Sequence, residues 1–362
     1  MEKYYIATVC AADKIGSQRT KILLNFFGSA EKVWKAERGD LEKSGLTPNA
    51  LESFLHFRQE NPNAPEKLIE FCETKKIGLC SIVDEDYPPI LKQIPLPPAV
   101  FYYRGKLEPF AERIAMVGTR QYTRYGEKIA RNIAENLSTA GLTIVSGAAN
   151  GIDTFSHKGA LKNGRTVAVI ASGINFKNPY EKQRLLDEIA DNGGLVMTEF
   201  KPSMTPHVGN FPARNRIIAG LSKGVIVVEA GERSGAILTA GLAGDYGRDV
   251  FAVPGSLFSE KSFGCHKLIR DGAVLIRGAD DVLEFYDFDT ESKMKKILTS
   301  PPVVLDETEK KVFNLIPFEE DITADEILMQ IDDIEPNELS EILLKLEVKK
   351  LITDSGDSYR KN

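Results

Sequence analysis

The chain has 362 residues, with 46 basic against 52 acidic side chains, 42% hydrophobic residues and 27% charged ones. That composition excludes whole-chain disorder and collagen-like repeats, no apolar run is long enough to cross a bilayer, and the start MEKYYIATVCAADK has no secretory pattern. Charge is unevenly placed: residues 1–110 are neutral (15 basic, 15 acidic), 111–285 carry +3 (21, 18), and 286–362 carry −9 (10, 19). A polyanion would therefore meet the middle segment, while the tail repels phosphates over a Debye length of about 8–10 Å. Four separated cysteines, Cys10, Cys72, Cys80 and Cys265, form no CxxC pair, so a reduced, cytoplasmic protein without a metal site is expected.

Four pieces follow in chain order. Residues 1–75 read as small helices: Ile22, Leu23, Phe26 and Phe27 have helical spacing, and Thr47-Pro48 starts a helix over Asn49–Phe57. The turns Ile15-Gly16-Ser17 and Ser44-Gly45-Leu46 each lead into a helix, the pattern of a SAM-like or helix-hairpin-helix module. In residues 77–105 five prolines forbid a long helix, and Leu79–Val83 and Val100–Tyr103 are expected as strands at a sheet edge. From 111 to 285, β-branched runs recur: Ile114–Val117, Thr143–Val145, Thr166–Ile170, Leu195–Thr198, Val225–Val228, Val250–Val253 and Ala273–Ile276. Amphipathic segments such as Tyr125–Ser138 and Asn178–Asp191 lie between them. This alternation predicts an α/β fold with a doubly wound, mostly parallel sheet. Residues 286–303 read as a charged linker ending in Pro301-Pro302. Residues 304–362 read as a winged helix, with helices to Leu315, over Thr323–Gln330 and over Pro336–Lys350, then a hairpin about Asp354-Ser355-Gly356-Asp357.

The chemistry-bearing turns lie at expected strand ends. Gly118-Thr119-Arg120 follows a strand and precedes a helix, where free amides and an arginine make an anion site. Ser146-Gly147-Ala148-Ala149-Asn150-Gly151 is a second such turn, small enough to admit a sugar-phosphate chain; Asp153 is expected to cap the next helix, and His157 to pack rather than catalyse. Phe211-Pro212-Ala213-Arg214-Asn215-Arg216 places two arginines beside a ring that can stack on an unpaired base. Two positions apart, these arginines cannot share a helix face, so one can meet nucleic acid while the other pairs with a carboxylate. Ser234-Gly235 opens a further helix after a strand, and Glu229 is expected to hold an arginine in place.

The stretches VGTRQYTRYG, SGAANGIDTFSHKGAL, FPARNRIIAGLS, VIVVEAGERSGAILTA, GRDVFAVPGS and CHKLIRDGA, in this order and spacing, resemble the DprA/Smf family. The resemblance implies an extended Rossmann-like domain over 76–285 that binds single-stranded DNA, forms a homodimer, and loads RecA recombinase onto incoming strands in natural transformation. It implies no catalysis and no cofactor. The DNA contacts it implies are Gly118, Thr119, Arg120, Ser146, Gly147, Asn150, Phe211, Arg214, Asn215, Arg216, Ser234 and Gly235. Asn150 departs from the family, which often has arginine there, and Lys201 is the nearest base before the Phe-Pro step.

The alternative is a nucleotide-binding or nucleotide-cleaving enzyme with a Rossmann-like sheet of the LOG type. Against it, Thr239 stands where that loop's glutamate would be, and the chain has no GxxxxGK[ST], HExxH or GxGxxG motif and no GxSxG elbow between a strand and a helix. The tail can be weighed separately. Glu335, Glu338, Glu341 and Glu347 outnumber Lys345, Lys349 and Lys350 in the expected recognition region, so the winged helix is a poor duplex binder and is expected to bind protein or to restrain the middle domain. Deleting 304–362 is then expected to leave oligonucleotide affinity in a titration unchanged or improved; a large drop would refute this.

Overall fold

The computed structural model describes residues 1–108, 111–288, 305–317, 321–331, 334–349, 351–354, 356 and 358–361. They fall into two compact units, Met1–Thr290 and Glu291–Asn362. Most of the expected 286–303 linker, with Pro301-Pro302, lies outside the described residues, as do Lys350, Ser355 and Asp357.

In the first unit nine strands form one sheet: β1 (Gly78–Ser81), β2 (Val100–Gly105), β3 (Arg113–Val117), β4 (Thr143–Ser146), β5 (Thr166–Val169), β6 (Leu195–Thr198), β7 (Gly224–Val227), β8 (Asp249–Ala252) and β9 (Val274–Leu275). Their spatial order is β1-β2-β6-β5-β4-β3-β7-β8-β9. β1 and β2 pair antiparallel with each other, β2 pairs antiparallel with β6, and all other pairs are parallel. The chain thus winds outward from β3 to β6, returns to the other side of β3, and winds outward again to β9. The reversal between β3 and β7 is the switch point at whose carboxyl side open α/β sheets hold ligands.

Alternate residues of each strand feed opposite layers, as the period-two geometry requires. Ile114 and Met116 join Ile133, Leu137, Ile144, Ile226 and Phe251 on one face, while Ala115 and Val117 join Val145, Val167, Ile217, Val225 and Val227 on the other. The expected helix over Tyr125–Ser138 is Arg124–Thr139, and that over Asn178–Asp191 is Tyr180–Asp191.

The amino-terminal helices do not form a separate body. Ile6, Leu23, Val33, Leu41 and Phe54 share one apolar cluster with Val100, Tyr102, Ala168, Ile170, Leu185 and Val196. At the β1–β2 edge these helices pack beside the crossover helix Tyr180–Asp191 and bury the sheet face with it. The first of them, Glu2–Ala11, buries the consecutive run Tyr5–Val9. Without an apolar stripe at helical period, it gives no amphipathic signal in the sequence.

The second unit contains helices Glu307–Leu315, Ala324–Leu328 and Pro336–Val348, then the antiparallel pair β10 (Ile352–Asp354) and β11 (Tyr359–Lys361). Its core is Val312, Ile316, Ile327, Leu339, Ile342, Leu343, Leu346 and Ile352. Asp306 and Thr323 each head a helix through a reciprocal capping box, with Glu309 and Glu326 respectively. Glu309, 3% exposed, also takes the Lys349 ammonium at 2.6 Å. Glu335, Glu338, Glu341 and Glu347 are exposed, so the longest helix presents mainly negative charge to solvent.

Candidate nucleic-acid interface

Three turns interlock at the carboxyl side of β3, β4 and β7. The Thr119 amide donates to the Glu229 carbonyl at 2.7 Å, and the Ile152 amide donates to the Thr119 carbonyl at 3.3 Å. Gly151 has φ +92°, and a Cβ there would strike the Thr119 carbonyl oxygen and the Arg120 backbone. Glycine is required by both conformation and space. Its neighbour Ala148 holds φ +51°, a left-handed backbone that costs a non-glycine residue free energy and concentrates at functional loops.

These contacts reassign several expected roles. Glu229 holds no arginine; its buried carboxylate accepts from the Thr123 amide at 2.9 Å and the Thr123 hydroxyl at 2.7 Å, tying the β7 turn to the helix after β3. Asp153 is not the helix cap, since the helix starts at Ile152 and Asp153 instead accepts the Ala149 amide at 3.3 Å, closing the β4 turn. The Thr119 amide is spent on Glu229, and its hydroxyl accepts the Gln121 amide at 3.1 Å. Ser146, fully buried, donates to the Met116 carbonyl at 2.6 Å and joins β4 to β3. The room beside Gly147 is taken by protein: a Cβ there would collide with the Arg214 guanidinium. Ser234 caps its own helix, accepting the Ala236 amide at 3.3 Å, with Gly235 exposed beside it.

The two arginines of the FPARNR segment part company, as their spacing requires. Both lie on helix Asn210–Gly220. Arg216 turns to the buried Glu199 carboxylate, forming an ion pair whose side chains are 12% and 11% exposed, and donates to the Leu96 carbonyl at 2.6 Å. It is a brace inside the fold, which corrects its expected place among the DNA contacts. Arg214 is buried too, 4% exposed, and donates to the Val169 carbonyl. Burial pushes its guanidinium down to about 10, against the pull of Asp153, and Arg120 pushes the same way. It remains charged at neutral pH as a cation under the surface, not a side chain that reaches out to DNA.

Above it the site is open. Arg120 is exposed and its guanidinium lies 4.8 Å from the centre of the half-buried Phe211 ring, a cation–π pair. Asn150 is exposed, while Gly118 and Asn215 are half-buried. Motif reading missed Lys182. Burial lowers the affinity of its ammonium for a proton, Arg214 and Arg120 lower it further, and Asp153 alone raises it. Lys182 lies in the first turn of helix Tyr180–Asp191, where the macrodipole repels a cation; that misplacement was the available sequence signal. Asp153 is itself pushed up by burial, with Arg214 and then Arg120 pulling it down. The exposed Arg120 above and the buried Arg214 guanidinium beneath Gly147 give this rim a positive charge that a phosphate chain would neutralise.

Residues 78–287 match the model of a family described as DNA recombination-mediator protein A. The chain is 34% identical to protein Smf of Synechocystis, across 96% of both chains. It is 44% identical to DNA processing protein DprA of Streptococcus pneumoniae, over 60% of this chain and 77% of that one. Among solved structures, DprA of Streptococcus pneumoniae superposes with a TM-score of 0.68 at 36% identity, covering 78% of this chain and 98% of the other. DNA processing protein A of Helicobacter pylori, solved to describe how that protein binds single-stranded DNA, superposes at 0.53 with 28% identity, covering 59% and 97%.

Proposed function

Because the chain belongs to the DNA recombination-mediator protein A (DprA/Smf) family, we propose that the rim of its sheet grips an unpaired DNA strand without cleaving it. The carrying observation is the exposed Arg120 guanidinium 4.8 Å from the centre of the Phe211 ring at the switch point, with the Arg214 guanidinium beneath Gly147. In this reading Arg120 and Lys182 take backbone phosphates, Phe211 stacks on a base, and Gly118, Asn150, Asn215 and Gly235 line the path. Arg214 supplies charge from below, and Ser146, Gly147 and Thr119 shape the turns. The single-stranded DNA binding of the Helicobacter pylori relative supports the choice of ligand.

The wider reading is delivery of the bound strand to RecA recombinase in natural transformation, by a cytoplasmic homodimer. The family's description as a recombination mediator supports it. Exposed Phe263 and Leu275, on the last helix–strand step before the β9 edge, support self-association through the sheet body. The second unit has the helix and hairpin order of a winged helix, and its acidic helix suits a protein partner better than duplex DNA.

Arg120→Ala is expected to weaken oligo-dT binding by about 1–3 kcal/mol, the worth of charge-assisted hydrogen bonds. It should also flatten the log–log salt slope by about 0.7 for each phosphate no longer neutralised. Fluorescence anisotropy across a salt series measures both, with duplex DNA as the weaker competitor. Wild-type affinity in the variant would mean that the strand lies elsewhere, and release of free base from nucleoside monophosphates would favour the enzyme reading.

A further inference from the structure

The loop joining β8 to helix Phe263–Arg270 carries two large apolar side chains with no role in the site above. Leu257 is 77% exposed and Phe258 98%. The loop itself is anchored. The Pro254 carbonyl accepts from the Tyr125 hydroxyl at 2.8 Å, Lys261 Nζ donates to Gln121 Oε1 at 2.9 Å, and the Gly264 amide donates to the Ala230 carbonyl at 2.8 Å. These bonds fasten both ends of the loop to the turns after β3 and β7, the rim that holds Arg120. Two apolar side chains thus stand in water at a defined place beside the cationic site.

The surroundings are basic. Arg120, Arg124 and Arg233 are exposed on and beside these turns and Lys261 is half-buried, against exposed Glu232 and Glu260, while Glu229 is buried and engaged by Thr123. β8 lies two strand positions from β3, about 10 Å at the usual strand spacing. That is the length of about three stacked nucleotides.

We propose that Phe258, backed by Leu257, is a second base-stacking platform, which carries the strand path from Phe211 and Arg120 across β7 to β8. The proposal rests on the single-strand reading and deepens it. Continuity with the Arg120 site and the positive charge around the loop select an unpaired polynucleotide as the occupant over a second copy of the chain.

The test compares a dT 12-mer with a 12-mer of abasic residues, using the full chain. Phe258→Ala is expected to weaken dT binding roughly 5- to 100-fold, the usual worth of one aromatic stack, and to leave abasic binding unchanged. The salt slope should stay at the wild-type value, because the same phosphates remain neutralised, and Phe258→Trp should restore affinity. Equal affinity of Phe258→Ala and wild type for dT overturns the proposal, as does an equal weakening on both oligomers. A changed oligomeric state by light scattering overturns it in favour of a self-association surface. A wild-type chain that binds neither oligomer overturns the single-strand reading along with it.

Discussion

Arg216→Ala is expected to destabilise the first unit by about 3–5 kcal/mol, the usual cost of removing one partner of a buried ion pair. The guanidinium faces Glu199 with both side chains nearly closed to solvent, and its other nitrogen holds the Leu96 carbonyl at 2.6 Å. Burial pushes the Glu199 carboxyl up and the Arg216 guanidinium pulls it down. Alanine would strand a buried carboxylate and an acceptor at once. Glu199 must then take up a proton or admit water, and either course disturbs the packing of helix Asn210–Gly220 against the segment after β6. Urea unfolding reads the effect as a lower midpoint with an unchanged slope. The double variant Arg216→Met with Glu199→Leu should recover much of the stability, because a pair of apolar groups leaves no charge uncompensated. A wild-type unfolding midpoint combined with weakened oligo-dT binding would return Arg216 to the DNA site.

That contrast shows what the sequence can and cannot carry. Strands buried on both faces are written as short β-branched runs, so β3 to β8 were legible to within a residue or two, and their alternation with helices fixed the parallel winding. β9 was harder: only Val274 and Leu275 pair at that edge. The docking of the amino-terminal helices was not legible, because an apolar face states that a helix is buried and not what buries it. At the site, residue type was readable and burial was not. The spacing of Arg214 and Arg216 showed that they part, but only the fold shows that both turn inward, one beneath Gly147 and one to Glu199. Lys182 lies in no glycine-rich turn but in the first turn of helix Tyr180–Asp191, so no motif marks it.

The same burial makes acid stability a sensitive reading of the site's underside. His157 is fully buried; its Nδ1 lies 2.7 Å from the Thr166 hydroxyl, which itself donates to the Ile144 carbonyl at 2.7 Å. Since the hydroxyl proton is spent on that carbonyl, Nδ1 carries the imidazole proton and Nε2 is bare. Nε2 meets no hydrogen-bond partner among the described residues. Burial, with Arg214 and then Lys182 adding repulsion, pushes the ring down to about 3 from an ordinary 6.5. The group is thus depressed in the folded chain, so its contribution to stability is whole above about pH 6.5 and is lost as pH falls toward 3. Below 6.5 the decline is about 1.4 kcal/mol per pH unit, approaching about 5 kcal/mol over the whole window. His157→Gln removes the titration, at the cost of a less well packed ring site. Unfolding free energies of the two proteins are expected to differ most at pH 7 and to converge by about 1.4 kcal/mol per unit between pH 6 and 4.5, where the carboxylates common to both cancel. A difference that stays constant over that range would mean that the imidazole accepts its proton without leaving the core, and that the cations around it do not repel it.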